Sequence, residues 1–143
     1  MPSPSQVLKS VFGYDSFRPY QEEIITTLLG GQDVFLVMPT GGGKSLCYQI
    51  PALFLDGTAI IISPLIALMK DQVDALVANG VAAAYYNSTL EADGARRTLA
   101  RLHAGELDLL YVSPERLMTE SFVERLESIQ LSMIAIDEAH CVS

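Results

Sequence analysis

Five short apolar runs punctuate the chain: Val34–Met38, Ala59–Ile62, Val81–Tyr85, Leu109–Val112 and Met133–Ile136. Each has the length of a strand and is nearly continuous rather than alternating, the pattern of parallel strands covered on both faces. The stretches between them carry helical spacing and predict helices over Lys44–Leu55, Ile66–Asn79, Glu91–Ala104 and Phe122–Ser128, with Gly80 and Gly105 stopping the second and third of these. Ser88 followed three residues later by Glu91 predicts a capping box ahead of the third. Before the first strand, the pattern predicts a short helix over Gln6–Phe12, capped by Ser5 and stopped by Gly13, and a second from Pro19 to Leu29 ahead of Gly30-Gly31. Strict alternation of strand and helix predicts an α/β, doubly wound parallel sheet, whose ligands sit at the carboxyl ends of the strands.

The first of those carboxyl ends carries the most specific chemistry in the chain. Val34–Met38 runs directly into Pro39-Thr40-Gly41-Gly42-Gly43-Lys44-Ser45. Glycines in this position let the backbone turn with positive φ and aim successive N–H groups at phosphate oxygens, and the following helix presents its N-terminus to the same charge. Lys44 is then placed to reach β- and γ-phosphates, and the Ser45 hydroxyl to ligate Mg2+. Met38 stands where the general pattern has glycine, so the match rests on the later fixed positions. The bland alternative is a glycine-rich turn that binds nothing.

The last apolar run delivers Asp137-Glu138-Ala139-His140 to another carboxyl end. An acidic pair in such a place is ordinarily a solvated loop start or helix cap. Beside a phosphate loop it supplies what that loop lacks: Asp137 to hold Mg2+, usually through water, and Glu138 to orient and deprotonate the water that attacks the γ-phosphate. His140, directly after it, reads as a coupler. Upstream, Phe12-Gly13-Tyr14, Phe17-Arg18-Pro19 and Gln21 precede the first strand closely enough to fold over a nucleotide. The Gln21 amide can both donate to and accept from an adenine edge, with Tyr14 and Arg18 stacking on its faces. A hydrophobic staple around the second helix explains the same spacing.

Composition narrows the picture. A chain of 143 residues, 50% of them hydrophobic, suits one α/β domain with a real core. No apolar run approaches the roughly 20 residues needed to span a bilayer, and the start lacks the charged and apolar regions of an export signal. Cys47 and Cys141 lie far apart, without metal or disulfide spacing, which fits a reducing cytoplasm. The net charge of −8 argues against sequence-blind nucleic-acid binding driven by Lys and Arg alone.

Taken together, these motifs resemble the RecQ family of DNA helicases within helicase superfamily 2. The resemblance runs from Val7 to Ser143. It is carried by Phe12-Gly13-Tyr14 with Phe17-Arg18-Pro19-Tyr20-Gln21, by Met38 to Pro51, by Ser63-Pro64-Leu65 with Met69-Lys70-Asp71-Gln72, by Tyr111 to Leu117 and by Asp137 to Ser143. Met38 is what that family looks like at the loop's first position, whereas Tyr20 departs from the glycine common before the adenine-reading glutamine. The resemblance implies a RecA-like P-loop NTPase lobe that hydrolyses ATP with Mg2+ and moves 3′ to 5′ along single-stranded or partly duplex DNA, in the cytoplasm and nucleoid of a bacterial-type cell, in DNA repair and recombination. It assigns Tyr14, Arg18 and Gln21 to adenine, Thr40, Gly41, Gly42, Gly43 and Lys44 to the phosphates, Ser45 and Asp137 to the metal, Glu138 to water activation and His140 to coupling. A second set, Ser63, Pro64, Lys70, Asn87, Ser88, Ser113 and Arg116, would follow the DNA backbone through hydroxyls, N–H groups and helix N-termini, contacts that need little positive charge. Simple helix caps and solvated surface charges remain open for the same residues.

The resemblance also implies parts beyond this sequence: a second RecA-like lobe with an arginine finger, an aromatic-rich loop, and zinc-binding and winged-helix regions. On this reading residues 1–31 are N-terminal helices with the adenine motif, and 32–143 run from phosphate loop to Asp-Glu-Ala-His within an incomplete lobe, inactive alone. In this class a later strand inserts between the phosphate-loop strand and the acidic-motif strand. The expectation is therefore a gap between Val34–Met38 and Met133–Ile136, with unpaired ladder groups and low stability. A non-hydrolysing nucleotide- or DNA-binding module and an RNA helicase of the same superfamily are the alternatives.

Overall fold

The computed structural model describes residues 3–17, 36–39, 46–64 and 66–138. Strands β1 (Leu36–Pro39), β2 (Thr58–Ile62), β3 (Ala83–Tyr86), β4 (Leu109–Val112) and β5 (Leu131–Glu138) form one sheet in the order β1-β5-β2-β4-β3. Every pairing is parallel. Helices α2 (Leu46–Phe54), α3 (Ile66–Ala78), α4 (Ala92–His103), α5 (Pro114–Leu117) and α6 (Glu120–Glu127) connect the strands, and α1 (Pro4–Val7) precedes them.

The strand order decides which face each helix covers. The chain moves outward across the sheet from β1 to β2 and from β2 to β3, then back from β3 to β4 and from β4 to β5. Right-handed crossovers put outward-going helices on one face and returning helices on the other. The two cores follow that rule. One face packs Tyr48 and Ala52 of α2 and Met69, Val73 and Leu76 of α3 on Ala59, Ile61, Tyr111 and Ala135. The opposite face packs Leu99 and Leu102 of α4 and Phe122 of α6 on Ile60, Ala84, Leu110 and Val112. Alternate residues of each strand thus serve alternate cores, which is why the apolar runs are continuous.

The expected gap beside β1 does not exist. Leu36, Val37, Met38 and Pro39 pair in parallel with Ala135, Ile136, Asp137 and Glu138. Two neighbouring strand edges with unused N–H and C=O groups are costly when buried, and direct pairing satisfies them. The β1–β5 pairing removes the unpaired ladder groups expected to lower stability.

The helix caps differ from the expected ones. The first helix is capped by Ser3, not Ser5: its hydroxyl accepts from the Gln6 N–H at 3.3 Å while the Gln6 side chain accepts from the Ser3 N–H at 2.7 Å. Pro4 fits the first helical position because it has no N–H to satisfy there. The segment Leu8–Phe12 widens into a π-type turn that ends at Gly13, where φ is 79°, and Leu8 packs on Ile50 of α2. The predicted capping box at Ser88 does not form; Glu91 occupies the cap of α4 with no side-chain bond. An Asx turn intervenes, in which Asn87 Oδ1 accepts from the Thr89 N–H at 2.9 Å. The helix expected over Pro19–Leu29 lies outside the described residues.

Candidate nucleotide and nucleic-acid site

The register of the sheet sets the site. Met38 of β1 is the partner of Asp137, and Pro39, where β1 ends, is the partner of Glu138. The strand entering the glycine loop and the acidic pair therefore occupy adjacent strands at one carboxyl rim. The acidic pair was expected just past a strand ending at Ile136; β5 instead continues through Glu138, so the backbone of both acids is fixed by the ladder. Of the remaining expected nucleotide residues, Arg18, Gln21, Thr40, Gly41, Gly42, Gly43, Lys44, Ser45 and His140 lie outside the described residues. Tyr14 is described and is 56% exposed, directly after the left-handed Gly13.

A hydroxyl, as at 45, and a carboxylate, as at 137, are hard oxygen donors of the kind Mg2+ prefers, and Asp137 lies on the strand paired with the one that precedes Ser45 in sequence. The residues present fit such an ion. Among the described residues no cluster of three or more His, Cys, Asp or Glu competes for a metal.

The rim continues across the sheet. Ile62, Val112 and Tyr86 end their strands on one register row, so the next residues, Ser63, Ser113 and Asn87, stand side by side. Each of the three makes hydrogen bonds within the fold. The Ser63 N–H donates to Val112 O at 3.1 Å and the Ser113 N–H to Tyr86 O at 3.3 Å, so both extend the ladder. Ser113, fully buried, also caps α5, its hydroxyl accepting from the Arg116 N–H at 3.4 Å. Asn87 is 1% exposed, and its Nδ2 donates to the Met69 sulfur at 3.3 Å. Pro64 and Ser88 are exposed.

The two cations have local partners. Lys70 Nζ meets Asp74 Oδ2 at 2.7 Å one turn along α3, both exposed, and the hydrogen bond and charge of Asp74 hold the Lys70 ammonium above its ordinary pKa. The Arg116 guanidinium lies over the Tyr86 ring, 5.2 Å from its centre, and Tyr86 stacks on Phe122 with ring centres 5.2 Å apart. The ring holds Arg116 at the rim through a cation–π contact.

The sequence reading did not single out a polar cluster beneath the rim. Gln49 Nε2 donates to the Tyr111 hydroxyl at 3.0 Å, and the Tyr48 and Tyr111 hydroxyls are 3.3 Å apart. The signal was available: Tyr48, Gln49 and Tyr111 are the polar side chains inside two stretches that are otherwise apolar and destined for the core.

A family model described as DEAD/DEAH box helicase matches residues 18–143. The chain belongs to that family. It is 56% identical over 142 residues to the ATP-dependent DNA helicase RecQ of Haemophilus influenzae, covering 99% of this chain and 23% of that protein. It is 54% identical over 137 residues to the RecQ of Pasteurella multocida, covering 96% of this chain and 22% of the relative. The likeness to RecQ helicases expected from the motifs is therefore real and runs nearly end to end, while the chain spans less than a quarter of the length of either relative. Among solved structures, the DUF1998 helicase MrfA bound to DNA and AMPPNP superposes with a TM-score of 0.69 at 19% identity, covering 95% of this chain and 20% of that one. That likeness shows the fold, a helicase RecA-like lobe. Among the described residues no helix is long and apolar enough to cross a membrane.

Proposed function

We propose that the chain is part of the first motor lobe of a RecQ-type helicase, which hydrolyses ATP with Mg2+ and uses the cycle to move 3′ to 5′ along single-stranded DNA and open the duplex ahead. The observation that carries this reading is the pairing of Met38 with Asp137 and of Pro39 with Glu138. It brings the strand entering a phosphate loop beside two carboxylates at one sheet edge, the arrangement phosphoryl transfer needs.

In this reading Thr40 to Lys44 bind the triphosphate, Ser45 and Asp137 hold Mg2+, and Tyr14, Arg18 and Gln21 recognise adenine. The bound Mg2+ neutralises charge on the phosphates. Glu138 orients a water on the γ-phosphate and accepts its proton, and His140 passes the state of the site onward. The rim segments follow the DNA backbone, with Pro64, Lys70, Ser88 and Arg116 placed to meet it and the buried Ser63, Asn87 and Ser113 shaping the rim behind them. A second lobe, for which the greater length of the relatives leaves room, would complete the ATP site. The bacterial origin of the two relatives supports work on chromosomal DNA in the cytoplasm.

The test is ATP turnover by the full-length protein with and without single-stranded DNA. Wild type should be stimulated by DNA, and Lys44→Ala and Glu138→Gln should each lose about 100-fold or more of the stimulated rate. Wild-type turnover no faster than in those variants would replace the motor with a non-hydrolysing binding module. Faster opening of an RNA duplex than of a DNA duplex would move the protein to the RNA helicases.

A further inference from the structure

The polar cluster under the rim joins two elements that the sheet itself keeps apart. In the strand order, β1 is separated from β4 by β5 and β2. Helix α2, which leaves the phosphate loop, crosses that interval, and its Tyr48 and Gln49 reach Tyr111 of β4 at 3.3 and 3.0 Å. Tyr48 and Gln49 follow Lys44 by four and five residues (48 − 44 and 49 − 44), and Tyr111 precedes Ser113 by two (113 − 111). One contact thus links the helix behind the phosphates to the strand that leads into Ser113 and Arg116.

Packing alone does not explain a phenol at this position. Tyr111 sits in a register row with Ala135 and Ile61, within an otherwise largely apolar core, and it is fully buried. A phenylalanine would fill nearly the same space without burying a hydroxyl, whose desolvation costs about 1–3 kcal/mol if it is left unsatisfied. The ring edge of Tyr48 meets the Tyr111 ring at 68° with centres 6.3 Å apart, a contact that survives loss of the hydroxyl. What the hydroxyl adds is direction: α2 cannot rotate or slide over β4 without breaking its bonds to Gln49 and Tyr48.

We propose that the Tyr111 hydroxyl is a positioning group that fastens the nucleotide-side helix α2 to β4, so that the state of the phosphate loop is transmitted to the Ser113–Arg116 segment. The inference rests on the proposed motor function and names the tie by which the ATP side and the DNA side of the rim communicate. Communication of this kind amounts to about 5-fold or more between two sites.

The experiment measures ATP turnover of the full-length protein with and without single-stranded DNA, together with DNA affinity and melting temperature, in Tyr111→Phe and Gln49→Met. The expected result is DNA-free turnover and DNA affinity within about 2-fold of wild type, but stimulation by DNA reduced by about 5-fold or more, in both variants. The double variant should be no worse than Tyr111→Phe alone, because that change already removes the hydroxyl that Gln49 and Tyr48 both bond. Unchanged stimulation in both variants, with only a lower melting temperature, would make the cluster a plain core contact and overturn the inference. If Tyr111→Phe does not fold, Gln49→Met decides on the same readout. Wild type without DNA stimulation, or no faster than Lys44→Ala, would instead remove the motor function and this inference with it, an outcome recognisable before any core variant is read.

Discussion

Met38 and Asp137 are register partners on adjacent parallel strands, so the backbone that enters the phosphate loop and the backbone that carries the first carboxylate are fixed against each other. On the proposed function the two acids divide their work by position along β5. Asp137→Asn should raise the Mg2+ concentration needed for half-maximal ATP turnover by about 10-fold, since it would weaken the proposed ion ligand. Glu138→Gln should leave that concentration near wild type while cutting the maximal rate by about 100-fold or more. A magnesium titration of turnover in the full-length variants checks the division; equal Mg2+ requirements in both would refute it.

Leu110 is fully buried in β4, where Ile60 and Ala84 flank it in register. Leu110→Ala removes apolar volume from a site that regular strands on both sides prevent from collapsing. It should destabilise by about 2–5 kcal/mol, read as a lower urea midpoint with unchanged slope.

Gly57 carries φ of 100°, and a Cβ placed there would stand 2.6 Å from the backbone oxygen of Gln130. Neither the backbone conformation nor the neighbouring carbonyl accommodates alanine. Gly57→Ala should cost more than about 1 kcal/mol, in contrast to the stabilising effect such a change has at ordinary φ. Thermal melting of the variant beside wild type measures it.

Asp108, half-buried before β4, has its carboxyl pushed above the ordinary carboxylate range by burial, partly offset by a hydrogen bond from the Ala82 backbone. A carboxyl whose folded pKa is raised favours the fold fully below its unfolded pKa and loses that contribution as pH climbs through the folded value. Asp108→Asn should therefore raise the melting temperature at neutral pH, and the difference should vanish once the pH falls below the ordinary carboxylate range. A constant difference from pH 3 to 7 would contradict the burial argument.

Much of this architecture was legible in the residues. The five apolar runs fell on the five strands because burial on both faces removes any polar alternation, a signal strong enough to survive without tertiary information. Gly80 and Gly105 ended their helices as read, each with positive φ. Caps were less legible. Ser5 and Ser88 have the right side chains, but Ser3 with Pro4 and Gln6 makes the better box, and after the Asx turn at Asn87 the helix starts late enough that Glu91 itself stands at the cap. Strand order was not legible at all: nothing in Leu36–Pro39 states that its neighbour is Ala135–Glu138, since parallel partners are chosen by the whole fold. The Tyr48–Gln49–Tyr111 cluster escaped for a similar reason, because residues 62 apart in sequence declare no contact until α2 is laid across the sheet.

The strand order also scrambles the itinerary of a polymer crossing the molecule. Strands of a sheet lie about 4.8 Å apart, so the span from β1 to β3 is about 19 Å. A nucleic-acid strand laid outward from β5 along this rim would meet the segment after β2 first, then the one after β4, and the one after β3 last, although the chain spells them in another order, 63, 87, 113. Photo-crosslinkers stepped along a bound oligonucleotide should light up the segments in that spatial sequence, turning the topology into a ladder of reaction sites that can be read nucleotide by nucleotide.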